Sequence, residues 1–345
     1  MHYTEMGTEQ ARIFIDASQL YDGFREAYHN AYAYRGGMHW KKAKGKQYLF
    51  RSRGGYGAGK SLGPKSPETE HIYQKFHQNS AAAKARLKNM KRKILEHARY
   101  CKAAKINRVP DIVTKILREL DQRKLLGDHI VILGTNALYA YEAAAGVRFD
   151  SGLIATMDVD LLWDVRKRLM LAIKEDGDPG DFIDVLRKAD KTFQIFQKQQ
   201  FRVVNKDGYM VDLLKAMPSR MTDREKDRIG GKDDLIAVEI MNLSWLLSSP
   251  KFEQVVIGTD GVPARMVVPD PRAFALHKFW VSQRDDREPA KKNRDASQAL
   301  AVAKLVIDRL PQLKFSKDQL RMFPTSLVTN FTDSLEWDDG ISMQF

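Results

Sequence analysis

Two aspartates one residue apart, Asp158 and Asp160, stand inside a β-rich run, Thr156-Met157-Asp158-Val159-Asp160-Leu161-Leu162. Side chains alternate across a strand, so the two carboxylates share a face while Val159 and Leu161 turn to the core. Neighbouring acids repel each other and resist desolvation unless a cation lies between them. A hard divalent metal with oxygen ligands meets that need, and Mg²⁺ is the expected ion. A third acid, Asp212, interrupts the apolar run Tyr209-Met210-Val211-Asp212-Leu213-Leu214. An acid in such a strand also needs a reason. Each signal is weak alone, since an Asp-x-Asp pair also marks solvated strand ends and metal-dependent glycosyltransferases.

The neighbouring segments must position these acids. Upstream, His129-Ile130-Val131-Ile132-Leu133 has strand length, turns at Gly134-Thr135, and continues through Asn136-Ala137-Leu138-Tyr139-Ala140-Tyr141 with helical spacing. Downstream, Phe201-Arg202-Val203-Val204 and the Asp212 run flank Asn205-Lys206-Asp207-Gly208, a hairpin signal. A further hairpin is expected over 252–268, turning at Asp260-Gly261. Pro271 opens a helix carrying His277 and Lys278, and another runs from about Lys291 to Leu310. A lone helical histidine such as His277 reads as packed. Between these lie a helix over 111–126, a strand over 166–173, an acidic loop over 175–180 without a calcium-binding spacing, and a helix through Phe182, Leu186 and Ala189.

Gly134-Thr135, then Asp158-x-Asp160, then a lone Asp212 on a later strand resembles the DNA polymerase β-like nucleotidyltransferase superfamily. Within it, the chain is similar to a bacterial family with a Thr-x-Asp-x-Asp core, related to toxin and antibiotic nucleotidyltransferases. The likeness spans residues 110–310, and Pro271 to Lys278 resembles the phosphate-facing helix of such enzymes. Thr135 departs from the usual serine, and the gap to Asp158 leaves room for Gly146-Val147-Arg148-Phe149. The resemblance implies in-line transfer of NMP from an NTP to an acceptor hydroxyl. Asp158, Asp160 and Asp212 would be catalytic and would hold two Mg²⁺ ions. Gly134 and Thr135 would meet the triphosphate, Lys278 would neutralise pyrophosphate, and Arg148 and Lys215 are further phosphate-binding candidates. The alternative is a catalytically silent nucleic-acid-binding or regulatory protein that kept the fold.

The chain has 345 residues and a net charge of +13. Residues 1–126 hold 26 basic against 11 acidic residues, and the remainder 31 against 33, so the positive charge belongs to the N-terminal third. That asymmetry points to a polyanion, most simply RNA such as a tRNA end, although a solvated basic surface has the same composition. One cysteine, Cys101, excludes an internal disulfide framework. With no signal-peptide pattern at Met1 and no membrane-length apolar run, the expected location is the cytoplasm.

Within that basic third, residues 9–30 read as a helix, followed by strands at Met38-His39-Trp40-Lys41-Lys42 and Gln47-Tyr48-Leu49-Phe50-Arg51. Aromatics interleave with cations there, as in base-stacking surfaces or in a hairpin packing its rings inward. Gly54 to Ser61 matches the P-loop pattern letter for letter, but Pro64 and Pro67 leave no room for the helix that pattern requires, so a glycine-rich loop is expected. Ser66 caps a helix start, and a long helix covers about 81–105, with Leu87, Met90, Ile94, Ala98 and Cys101 inward. Lys84, Arg86, Lys88, Lys91, Arg92, Lys93, Arg99 and Lys102 crowd its other faces, suited to pairing with a helix or lying along nucleic acid. The expected fold is α+β. A basic helix and hairpin region over 1–108 precedes a nucleotidyltransferase core over 109–270, a mixed β-sheet flanked by helices, and a helical region follows over 271–345.

Overall fold

The computed structural model describes residues 3–52, 59–167, 180–218 and 227–339, with side chains as far as residue 335 in the last stretch. The chain opens with β1 (Tyr3–Glu5), α1 (Thr8–Ala33), β2 (Gly37–Ala43), β3 (Lys46–Ser52), β4 (Gly59–Pro64) and α2 (Pro67–Ala103). The central stretch contains α3 (Asp111–Gln122), β5 (Ile130–Leu133), a 3₁₀ turn (Gly134–Ala137), α4 (Leu138–Ala145), β6 (Val147–Phe149), α5 (Ser151–Ile154) and β7 (Asp158–Trp163). Then come α6 (Phe182–Ala189), β8 (Gln194–Ile195), β9 (Arg202–Val204), β10 (Met210–Ala216), β11 (Val238–Ile240), α7 (Leu243–Ser248), β12 (Lys251–Ile257) and β13 (Pro263–Pro269). Three helices close the chain: α8 (Pro271–Ser282), α9 (Pro289–Arg309) and α10 (Thr325–Asp339).

The architecture is α+β around a mixed sheet of order β5-β7-β10-β9-β8, with β11 also pairing β10. β7 and β10 run parallel, whereas β5 and β9 lie antiparallel to their neighbours. β5, an edge strand of the sheet that pairs with β7, is apolar throughout and wholly buried, so other elements cover it. One hydrophobic cluster joins Tyr3 of β1 to residues from Val109 to Leu335 and takes in Leu117, Leu161, Leu213, Phe274, Leu305 and Phe331, so α8 to α10 share the core of the sheet.

The basic third forms an arm that packs on the core: β1 pairs with β6, and Arg25 of α1 reaches Asp121 of α3. Two small clusters hold its helices: Ile13, Ala17, Cys101 and Ile106 with Ile257 of β12 in one, and Tyr21, Phe24 and Ile94 in the other. Ser66 caps α2 as expected, its Oγ accepting from the Thr69 amide at 3.2 Å. α2 continues unbroken for 37 residues, where the sequence suggested a capped start and a separate later helix.

β2, β3 and β4 form an antiparallel sheet, and Trp40 and Tyr34 set their rings against Tyr73 and Phe76 of α2. The arm's aromatics therefore do packing work. Lys60 and Ser61 of the P-loop look-alike stand in β4, so no helix opens at that pair; residues 54–58 of the motif lie outside the described residues. The strand expected over 166–173 begins as a turn at Arg166 and Lys167 and otherwise lies outside the described residues, as does the acidic loop over 175–180 apart from Gly180.

Candidate active site

The parallel pairing of β7 with β10 sets Asp212 directly opposite Asp160, with Met210 opposite Asp158. Paired residues of neighbouring strands point the same way, so all three acids share one face. The intervening Val159, Leu161, Val211 and Leu213 are buried on the other face. β5 ends beside them, and the chain turns at Gly134 with φ +63. A Cβ there would overlap Asp160 Oδ2. Only glycine allows both that backbone angle and that approach.

The three acids differ in their surroundings. Asp158 takes a hydrogen bond from the Thr156 hydroxyl, and its backbone carbonyl accepts from Asn136 Nδ2 at 2.6 Å and Tyr209 OH at 3.2 Å. Burial, followed by the charges of Asp158 and Asp212, pushes the Asp160 carboxyl up to about 7, with Lys278 and Arg202 opposing the shift. Asp212, 6 % exposed, has both oxygens held by Arg202, through Nε at 2.7 Å and Nη2 at 2.6 Å.

Arg202 is a residue the sequence reading did not select. It lay within reach, because the β9–β10 register places Arg202 across from Asp212. Counting back from the hairpin turn at Asn205–Gly208 gives that pair.

A second group braces the site from α8 and α9. Lys278 donates to Asp295 at 2.6 Å, and Arg287 holds the other oxygen of the same carboxylate at 2.7 Å. Gln298 Nε2 and Arg294 Nη2 both donate to Thr135 Oγ1 at 3.1 Å, and Gln298 reaches the Leu153 carbonyl at 2.8 Å. Asp295 and Gln298 are almost wholly buried. Their available signal was two polar residues at i and i+3 on the apolar stripe that continues through Val302 and Leu305.

Asp160, Asp212, Gly134, Arg202 and Lys278 line a cavity of about 630 Å³. Its apolar lining includes Phe201, Met217, Ile240, Met241 and Trp280, and Arg284 lies over the Trp280 ring at 5.0 Å. His277 also lines it. Burial pulls that imidazole down to about 3, with Lys278 next in effect, and its Nε2 is sealed without a hydrogen-bond partner. His277 is thus a neutral packed group.

Two phosphate-binding candidates are not brought to this cavity. Lys215 is turned to the opposite face of β10 and is spent on Asp227 at 2.7 Å and Glu239 at 3.0 Å. Arg148 pairs across to Thr4 on β1 and sits near Arg108 and Glu142. Thr135 is near the acids, but its oxygen accepts from α9.

A divalent ion suits the donor chemistry, since hard oxygens crowd together and the half-buried Asp160 resists ionising without added positive charge. Among the described residues, however, no group of three or more His, Cys, Asp or Glu is disposed to hold a metal. Arg202 already brings positive charge to Asp212, so an ion on that carboxylate would share it with the guanidinium.

A family profile described as Nucleotidyltransferase matches residues 111–322, more than half of the chain. The chain belongs to this nucleotidyltransferase family. It is therefore a transferase enzyme, and the matched span contains β5, β7, β10, α8 and α9, the elements that build the acid face. No curated protein and no solved structure matches the chain. Among the described residues of the nucleotidyltransferase, no helix is long and apolar enough to cross a membrane.

Proposed function

We propose that this nucleotidyltransferase moves a nucleoside monophosphate from an NTP to a hydroxyl of RNA, such as a tRNA end, in the manner of the DNA polymerase β-like superfamily. The observation that carries the proposal is the register of Asp212 against Asp160, on one face and beside Gly134. Asp158, Asp160 and Asp212 would hold two Mg²⁺ ions, which would supply positive charge to the α-phosphate and to the attacking and leaving oxygens.

The protein's own groups do the rest. Gly134 gives the triphosphate access to the backbone of the turn. Thr135, fixed by Gln298 and Arg294, sets the geometry of that turn. Arg202 and Lys278, which both line the cavity, neutralise phosphate charge. The apolar wall around Trp280 excludes water and receives the base. In the step itself, the acceptor oxygen bonds to the α-phosphorus, the bond to the bridging oxygen breaks, and pyrophosphate leaves with its electron pair. The hydroxyl proton passes to a carboxylate of the acid face.

A division of labour follows, with residues 1–108 presenting the acceptor, 109–270 carrying the chemistry and 271–345 bracing it, in a cytoplasmic protein. The test is incubation with α-labelled NTPs, Mg²⁺ and total RNA. Label on RNA that disappears in Asp158→Ala plus Asp160→Ala supports the proposal. Label that persists in that variant, or no transfer to any acceptor, contradicts it.

A further inference from the structure

The arm carries charge that the acid face leaves unused. α2 extends about 55 Å at 1.5 Å per residue, and its C-terminal half turns Ile94, Ala98 and Cys101 inward beside α1. On one flank of that half, Lys84, Lys88, Lys91, Arg99 and Lys102 recur at helical spacing, with exposed Leu95 completing the series. At 100° per residue they fall within an arc of about 80° and extend over about 27 Å.

All five cations are exposed, and none enters an ion pair among the described residues. Cations on other faces of the helix do find partners: Arg86 pairs with Glu26 at 2.8 Å and Arg92 with Glu96 at 2.7 Å. Glu96 is the sole acid of α2 between residues 84 and 102, and it lies off the row.

We propose that this row holds the sugar–phosphate backbone of the RNA acceptor, without reading its sequence. A nucleic-acid strand presents a negative charge about every 3.4 Å, and a straight row of unpaired cations is its complement. The composition disfavours other occupants. One exposed leucine does not make the anchoring cluster of a protein interface. Nor does it make the apolar face that seats a helix in a lipid surface, because the apolar face of α2 is taken by α1.

The inference rests on the RNA acceptor proposed above, and one experiment separates the two. Fluorescence anisotropy of a labelled RNA hairpin is followed over a range of KCl concentrations with the full chain. It is repeated with the combined variant Lys84→Gln, Lys88→Gln, Lys91→Gln, Arg99→Gln and Lys102→Gln. Glutamine keeps the helix propensity, which circular dichroism checks. A control variant removes the same charge elsewhere, at Lys188, Lys191, Lys198, Lys206 and Lys317, each to Gln.

The expected result is a binding loss of at least roughly tenfold and a salt slope shallower by roughly three to four in the α2 variant alone. The same loss for a DNA duplex of equal length marks a contact to phosphates in general and also supports the row. RNA bound through the row but never labelled leaves the row standing and removes RNA as acceptor. Unchanged affinity and slope in the α2 variant, an equal loss in the control, or tighter binding to phosphatidylserine vesicles than to RNA overturns the inference.

Discussion

The acid face and the arm handle charge in opposite ways. On the acid face and its α8–α9 brace, cations are tied to buried carboxylates: Arg202 grips Asp212, and Asp295 holds both Lys278 and Arg287. On the arm, cations line an exposed flank and several have no ion-pair partner among the described residues. Buried charges cost desolvation and remain where geometry compensates them, so they fix a site. Exposed charges cost little and contribute little to stability, so their sign and row serve encounter with a partner. The first arrangement suits chemistry on a small triphosphate, and the second suits capture of a long polyanion.

Removing a partner from the acid face is expected to have the largest effect. Asp295→Ala strands Lys278 and Arg287 beside the cavity and should destabilise the fold by about 3 kcal/mol, read from urea unfolding. A loss below about 1 kcal/mol would mean that this carboxylate is not the hub of the α8–α9 brace.

The next effect lies where arm and core meet, at Arg108 and Glu142, 2.8 Å apart. Burial raises the Glu142 carboxyl to about 7, against the opposing influence of Arg108. Its folded value lies above its unfolded one, so the native state binds more protons in between. Stability from this group is therefore fullest below about pH 4.5 and declines as pH rises towards 7, by up to roughly 3 kcal/mol. Asp160 shifts in the same direction, so the test is the difference between wild type and Glu142→Gln. That difference should change across this window, and a constant difference would rule out the junction as a titrating contact.

On the acid face again, Arg202→Met should lower label transfer by roughly a hundredfold, about 2.7 kcal/mol, while the chain stays folded. Full activity would leave Arg202 as a purely structural partner of Asp212. The smallest effect belongs to the arm: breaking the exposed Arg86–Glu26 pair with Arg86→Ala should shift stability by less than about 0.5 kcal/mol. A larger loss would blur the contrast between the two regions.

Local pattern made much of the acid face legible. Strand alternation at Asp158 and Asp160, the hairpin turn at Asn205–Gly208 and the proline opening α8 each carry their own signal, and the elements stand where those signals place them. The unread parts depend on long-range partners. β4 contains Gly59, Gly63 and Pro64 and reads as a loop, yet it pairs because β3 offers an open edge. Lys215 looked like a phosphate ligand until β11 brought Glu239 opposite it. Thr135 looked free until α9, some 160 residues later, supplied Gln298 and Arg294. Within the site, the alternation of strands was readable, whereas the identity of each acid's partner was not.

The most direct test of the acid face is Mn²⁺ binding, followed by electron paramagnetic resonance, in the presence of a non-hydrolysable NTP. Bound Mn²⁺ should be saturable in the wild type and lost in both Asp158→Asn plus Asp160→Asn and Asp212→Asn. Undiminished Mn²⁺ binding in either variant would contradict a cation site built from these three carboxylates.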